Sequence, residues 1–264
     1  LAKISMPSKK KKLSEFNLIK KIKNIFPENA KIYKGIGDDC AVIKEGKTYY
    51  LYTIDNMVEG IHFDISLGMD YCSVGYKSVV RSISDIVAMG GKPKFFLLNL
   101  LVPGNFNERD LDLILQGIKN ATLKYKLALI GGDISLSKTL TITISAVGIT
   151  NTKPILRSGA KIGDYIYYTG NLGMASSGLE FLRRNIKDKK TKPFIEKLLR
   201  PELKNNFSIM LAKNKLASAM IDISDGFLGD LSHILEESNC GAIIYENFLE
   251  KNTFDIYKNF FKSL

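Results

Sequence analysis

The chain has 264 residues, enough for one large or two modest domains. Hydrophobic residues make up 45% and charged residues 25%, a balance that supports a packed core and excludes disorder by composition. The formal net charge of +11 is concentrated: residues 1–25 hold eight lysines against one acid, residues 183–192 hold six bases against one acid, and the remainder is near neutral. Neither basic segment interleaves aromatic residues, so a nucleic-acid partner is not expected. The longest apolar run, Phe95 to Val102, is interrupted by Asn99 and is too short to span a bilayer, so no membrane partner is expected either. No apolar stretch follows the N-terminal lysines, and Cys40, Cys72 and Cys240 lie far apart. A secretory signal, a disulfide framework and a zinc ribbon are therefore disfavoured, and a cytoplasmic protein is expected.

In chain order, residues 1–12 read as a basic disordered arm. Phe16 to Ile25 has the spacing of a short amphipathic helix. Thr48 to Asp55, rich in Tyr and Thr, reads as a strand that Asp55 closes. In Cys72 to Met89, the residues Tyr76, Val79, Val80, Ile83 and Val87 recur at helical spacing, and Gly90–Gly91 stops the run. Phe95 to Val102 reads as a buried strand, Asp110 to Tyr125 as a helix, and Leu127 to Ile130 as a short strand ended by Gly131-Gly132-Asp133. Leu140, Ile142, Ile144 and Ala146 alternate with polar residues, the pattern of a half-buried strand. Composition shifts at Asn151 to Pro154, which places a domain boundary there. Beyond it, strands are expected at Tyr165–Thr169, Ala219–Ile223 and Ala242–Tyr245. Helices are expected from about Ala175, near Asn206–Leu216 and at Phe227–Glu237. The order is α/β (α+β) in two halves: 13–151 and 152–264, after the arm at 1–12.

The chemistry lies in aspartates at element ends. Asp38-Asp39 follows a glycine-rich turn, and Thr53 and Asp55 share one strand face. Asp85 sits mid-helix among Ile83, Ile86 and Val87, where a charge needs a reason. Asp133 follows two glycines, and Asp222-Ile223-Ser224-Asp225-Gly226 leads into a helix. Ser224 or Asp225 could simply cap that helix, and Asp133 could be only a turn residue. If the acids converge, their repulsion must be neutralised. Oxygen ligands without a His or Cys cluster suit several magnesium ions, and the neighbouring glycines let phosphates approach backbone N–H groups. The sequence lacks the GxxxxGK[ST] loop, the protein-kinase HRD and DFG set and a GxSxG elbow.

Seven segments together resemble the thiamine-monophosphate kinase family of the aminoimidazole ribonucleotide synthetase superfamily. They are GIGDDCAVI (35–43), TIDNMVEGIHF (53–63), YKSVVRSISDIVAMGGKP (76–93), LIGGD (129–133), RSGAKIGDYIYYTG (157–170), RP (200–201) and IDISDGFLGDL (221–231). The resemblance implies transfer of the ATP γ-phosphoryl group to thiamine monophosphate. It implies that Asp39, Thr53, Asp55, Asp85, Asp133, Asp222 and Asp225 hold Mg2+, that Gly132, Asp133, Arg157 and Ser224 touch ATP, and that His62 contacts thiamine monophosphate. It implies no catalytic residue separate from the metal site, since the acceptor phosphate needs no general base. It further implies a two-domain fold with a mixed-sheet N-terminal domain that dimerises through its strands. Two positions depart from the pattern: Ile54 stands where a hydroxyl is usual, and Met174 where an acid is usual. The family's GGEDYE segment has no counterpart, so the second domain is expected to be C-terminally incomplete, with an exposed edge and weaker hold on thiamine monophosphate than on ATP. The competing readings are another ATP-dependent enzyme of the superfamily, or a truncated, non-catalytic nucleotide-binding remnant.

Overall fold

The structure, a computed structural model, describes residues 15–27 and 29–245. The expected arm at 1–12 and the tail beyond Glu246 lie outside the described residues. Helix α1 (Glu15–Ile25) leads into β1 (Ile32–Lys34), β2 (Ala41–Glu45) and β3 (Thr48–Val58). Then come α2 (Tyr71–Ala88), β4 (Lys92–Pro103), α3 (Glu108–Tyr125), β5 (Ala128–Ser137) and β6 (Thr141–Thr150). The six strands form one mixed sheet, ordered β1-β2-β3-β6-β4-β5. Within this sheet β4 and β5 pair in parallel and the other described strand pairs are antiparallel, because α3 carries the chain back across the sheet between β4 and β5.

Period decides these elements. In β6, Ile142, Ile144 and Ala146 are fully buried while their neighbours face outward, the alternation of a sheet with one covered face. Along α2, Val79, Val80, Ile83 and Ile86 are buried at helical spacing and form the core with Leu51, Phe96 and Ile114. Asp70 caps α2 by accepting the Ser73 N–H at 2.7 Å. Helices α2 and α3 cross closely at two glycines. A Cβ on Gly75 would stand 2.0 Å from the Ile114 carbonyl oxygen, and one on Gly117 would stand 1.9 Å from that of Cys72.

Three expectations need correction. Asp55 does not close its strand: β3 runs on to Val58, pairing with β6 throughout. Gly131-Gly132-Asp133 does not end a strand either. Ile130 is an extra residue opposite the Phe96–Leu97 step of β4, and Gly131 takes φ +151°, so a bulge lets β5 continue to Ser137. The expected strands at 165–169, 219–223 and 242–245 pair with nothing among the described residues. Their apolar runs supply strand propensity, but a strand exists only where a ladder partner lies beside it.

The described part of the second half carries four helices joined by irregular segments: α4 (Met174–Arg183), α5 (Lys192–Leu199), α6 (Asn205–Asn214) and α7 (Phe227–Ser238). Helix α5 is not among the expected elements; it follows the basic segment 183–192, with Thr191 at its N-cap and Pro193 in its first turn. The segment Arg200–Leu203 is fastened to the first half: Tyr125 Oη accepts the Leu203 N–H at 3.2 Å, and Arg200 Nε donates to Ser73 Oγ at 3.2 Å.

Candidate metal and phosphate site

The site lies where α2, β3 and two loops meet. Each carboxylate of Asp39, Asp85 and Asp222 offers an oxygen, and the three oxygens lie within 4.8 Å of one another. Asp39 follows the glycine-rich turn before β2 and its side chain is wholly buried. Arg157 donates to it from Nε at 2.9 Å and from a second guanidinium nitrogen. Asp38 accepts the Arg157 backbone N–H at 3.2 Å, fixing the loop that carries the guanidinium. Asp85 projects from α2 and accepts the Thr53 hydroxyl of β3. Asp222 accepts the Ser84 hydroxyl at 2.6 Å.

Burial dominates the electrostatics. Loss of water pushes Asp39 up to about 8, with Asp222 adding to the rise and Arg157 opposing it. Burial followed by the Asp222 and Asp55 charges pushes Asp85 up to about 9. Asp222 is raised as well, chiefly by burial, with Ser84 opposing. Asp39 Oδ2 is buried with no hydrogen-bond partner. A trio of crowded carboxylates, one oxygen of which lacks a donor, matches the hard-oxygen donor set of Mg2+.

Around this trio the other expected residues are arranged unequally. Asp55 lies 3.5 Å from Arg81 Nε, and burial raises its pKa against that pairing. Asp225 is exposed, yet its charge reaches Asp55 and His62. His62 sits in the loop after β3, where its Nδ1 accepts the Val58 N–H at 3.0 Å. That bond leaves Nε2 to carry the proton of the neutral ring, and desolvation, then Arg81, lowers the ring's pKa. Ser224 is exposed and its backbone N–H donates to Asp230. Asp133 and Gly132 do not join the trio. They lie mid-strand on β5, where both are exposed and, among the described residues, Asp133 accepts the Ser135 hydroxyl at 3.3 Å. Gly132 has a packing reason of its own, since a Cβ there would stand 1.8 Å from the Leu98 carbonyl oxygen.

Sequence reasoning missed Asp230. It is buried in the first turn of α7 and accepts the N–H groups of Ser224 at 3.0 Å and Gly226 at 3.1 Å. Neither Ser224 nor Asp225 caps α7, whose N-cap is Gly226 at φ +124° without a side-chain bond. An acid in the turn after Gly226 was the available signal: it stabilises a helix N-terminus and can tie the preceding loop. Ser84 and Arg81 were also missed, because their roles depend on partners distant in sequence.

Comparison with known proteins identifies the family. The family model of the AIR synthase related protein N-terminal domain matches residues 37–150, and that of its C-terminal domain matches residues 161–260. A thiamine-monophosphate kinase of Buchnera aphidicola from Acyrthosiphon pisum is 39% identical over 242 residues, covering 89% of this chain and 73% of that protein. The corresponding enzyme of Bacillus subtilis is 34% identical over 245 residues, covering 90% and 74%. Among solved structures, AaThiL complexed with AMPPCP and TMP superposes with a TM-score of 0.81 at 32% identity, covering 89% of this chain and 74% of that one. Thiamine monophosphate kinase from Aquifex aeolicus superposes at 0.76 with 30% identity, covering 86% and 74%. Likeness at this level, extending from the glycine-rich turn of Asp39 through the loop of Asp222, makes the chain a member of the thiamine-monophosphate kinase family.

Proposed function

We propose that this protein transfers the γ-phosphoryl group of ATP to thiamine monophosphate, yielding thiamine diphosphate and ADP. The observation that carries the reading is the Asp39–Asp85–Asp222 trio with its unpartnered Asp39 oxygen. It sits in a chain whose structural relative binds both AMPPCP and TMP.

The acceptor is a phosphate oxygen, already ionised near neutral pH, so no general base is required. Its attack on the γ-phosphorus forms one P–O bond while the β–γ bridging P–O bond breaks, and the electron pair leaves on ADP. Repulsion between two anions is the obstacle. Asp39, Asp85 and Asp222 would hold magnesium, with Thr53, Asp55 and Asp225 around them. When bound, the ions neutralise phosphate charge and orient the reacting oxygens. Ser84 and Thr53 hold the Asp222 and Asp85 carboxylates in place. Arg157, now on Asp39, adds a planar fork suited to the ATP phosphates. Ser224 would contact ATP from a loop whose backbone Asp230 ties down. We retain Asp133 and Gly132 as ATP contacts and His62 as the thiamine monophosphate contact.

The same reading assigns residues 13–151 to the ATP- and magnesium-binding domain and 152–264 to the second domain. It also pairs two copies through the sheet. The face opposite α2 and α3 exposes Tyr52, Ile54, Phe95 and Leu97, and β5 leaves an open edge with Ile134 73% and Leu136 80% exposed. Sedimentation of a dimer is the expected result, and Ile54→Lys should return it to monomer. No helix among the described residues is long and apolar enough to cross a membrane. A cytoplasmic location follows from the dependence on ATP.

The chain incubated with ATP, magnesium and thiamine monophosphate should form thiamine diphosphate, and Asp85→Asn should abolish it. ATP consumption without thiamine diphosphate would refute the reading. Release of inorganic phosphate would favour another ATP-dependent member of the superfamily. Nucleotide binding without turnover would favour a non-catalytic remnant.

A further inference from the structure

Helix α2 carries Lys77, Arg81 and Asp85 at intervals of four, on one stripe. Two of the three meet β3 directly: Asp85 accepts the Thr53 hydroxyl, and Arg81 Nε lies 3.5 Å from Asp55. Thr53, Asp55 and Met57 share one face of that strand. Helix and strand therefore run past each other in opposite directions. The match is metric: four helical residues advance about 6 Å and two strand residues about 6.6 Å. The next step along this ladder brings Lys77 level with Met57 and Val58. There the Val58 N–H holds the ring of His62, and the Lys77 charge reaches that ring.

Lys77 forms no ion pair among the described residues. Burial, followed by repulsion from Arg81, lowers its pKa to about 8, so at neutral pH it is mostly charged. Arg81 faces one carboxylate, Asp55 at 3.5 Å, and Lys77 faces none in an ion pair among the described residues, so this stretch of the stripe carries net positive charge suited to an anion. The order of groups along α2 indicates which anion. Asp85 belongs to the acid trio, Arg81 comes next, and Lys77 stands beside His62. Arg157 lies instead against Asp39, across the trio from Lys77 in this order.

We propose that Lys77 and Arg81 bind the phosphate of the acceptor substrate, holding it between the acid trio and His62 and selecting phosphorylated over unphosphorylated thiamine. The inference rests on the kinase reading above. Its chemistry is that of a phosphomonoester dianion met by one guanidinium and one ammonium.

The test compares two ligands. Thiamine monophosphate and unphosphorylated thiamine are titrated by calorimetry into the protein with magnesium and a non-hydrolysable ATP analogue. Lys77→Met should weaken thiamine monophosphate by about 30-fold or more, the usual scale for removing one partner of a buried charge pair. Binding of unphosphorylated thiamine should change by less than about twofold on the same scale. Arg81→Gln should act in the same direction, and Lys77→Arg should restore part of the selectivity. In steady-state assays the KM for thiamine monophosphate should rise while that for ATP stays unchanged. Equal losses for both ligands, or a rise confined to the KM for ATP, would overturn the proposal. So would unfolding of both Lys77→Met and Lys77→Gln, which would make Lys77 structural. A wild-type chain that forms no thiamine diphosphate would overturn the kinase reading as well. One that forms it while Lys77→Met keeps full selectivity overturns this inference alone.

Discussion

The Ser84 hydroxyl of α2 donates to the Asp222 carboxylate at 2.6 Å, joining residues 138 positions apart in the chain. Through this bond the second half of the protein delivers an acid to a cluster whose other two members belong to the first half. Ser84→Ala removes the donor but leaves the acid. Asp222 should then be harder to ionise and less well placed. We expect a fall in turnover of about tenfold, the scale of a lost positioning hydrogen bond of about 1–1.5 kcal/mol. Unchanged turnover in Ser84→Ala would show that the bond does not position Asp222.

The acid trio makes the metal-free protein pH-sensitive. Asp39 and Asp85 have folded-state pKa values of about 8 and about 9, above their ordinary values. Between about pH 4 and those values the folded state binds more protons than the unfolded state, so stability falls as pH rises through this window. Thermal unfolding in a chelator should therefore show a lower midpoint at pH 9 than at pH 6. Magnesium should flatten this slope, because a bound cation keeps the folded acids ionised, as they are in the unfolded chain over this range. A chelated protein equally stable at both values would contradict the assignment.

Arg157→Ala should cost about 2 kcal/mol in urea unfolding. The variant leaves the buried Asp39 carboxylate without its guanidinium, and partial solvent access to Arg157 keeps the loss below that of a fully buried pair. Arg157→Lys should recover only part, since one ammonium cannot supply the forked donor set. Recovery to wild-type stability with Lys would show that charge alone matters there.

Gly117→Ala places a Cβ 1.9 Å from the Cys72 carbonyl oxygen, against backbone that cannot yield locally. Helices α2 and α3 must separate. We expect about 1–3 kcal/mol of destabilisation, or roughly 3–10 °C in the midpoint, with chelated and magnesium-bound protein affected alike. A Gly229→Ala control meets nothing within 4 Å and should be neutral or slightly stabilising.

The His62 ring should titrate below the usual histidine range, near 6.5, when followed by NMR. Protonation of Nδ1 breaks its bond to the Val58 N–H. Over the interval between the lowered folded pKa and the ordinary value, the unfolded state binds more protons, so this group's contribution to stability rises with pH there. A ring titrating above 6.5 would mean that the bond is not formed in solution.

Residue order alone determined the helices other than α5, and the inventory of the site. The spacing of Tyr76, Val79, Val80, Ile83 and Val87 predicts α2 nearly to its ends, because an α-helix closes its hydrogen bonds within four residues and its apolar stripe is a local pattern. The same holds for α3, α6 and α7. An acid among apolar residues marked Asp85 as purposeful, and the absence of soft ligands marked the chemistry as hard and anionic. Tertiary structure decided which acids meet. Nothing near Asp133 announces that a bulge at Ile130 carries it along β5 away from the trio, and nothing near Asp222 announces Ser84. Strands at 165–169 and 219–223 could not be judged locally either, since each strand's hydrogen bonds go to a partner that its own residues do not name. Convergence and pairing are long-range events, settled by packing once the helices and the sheet have formed.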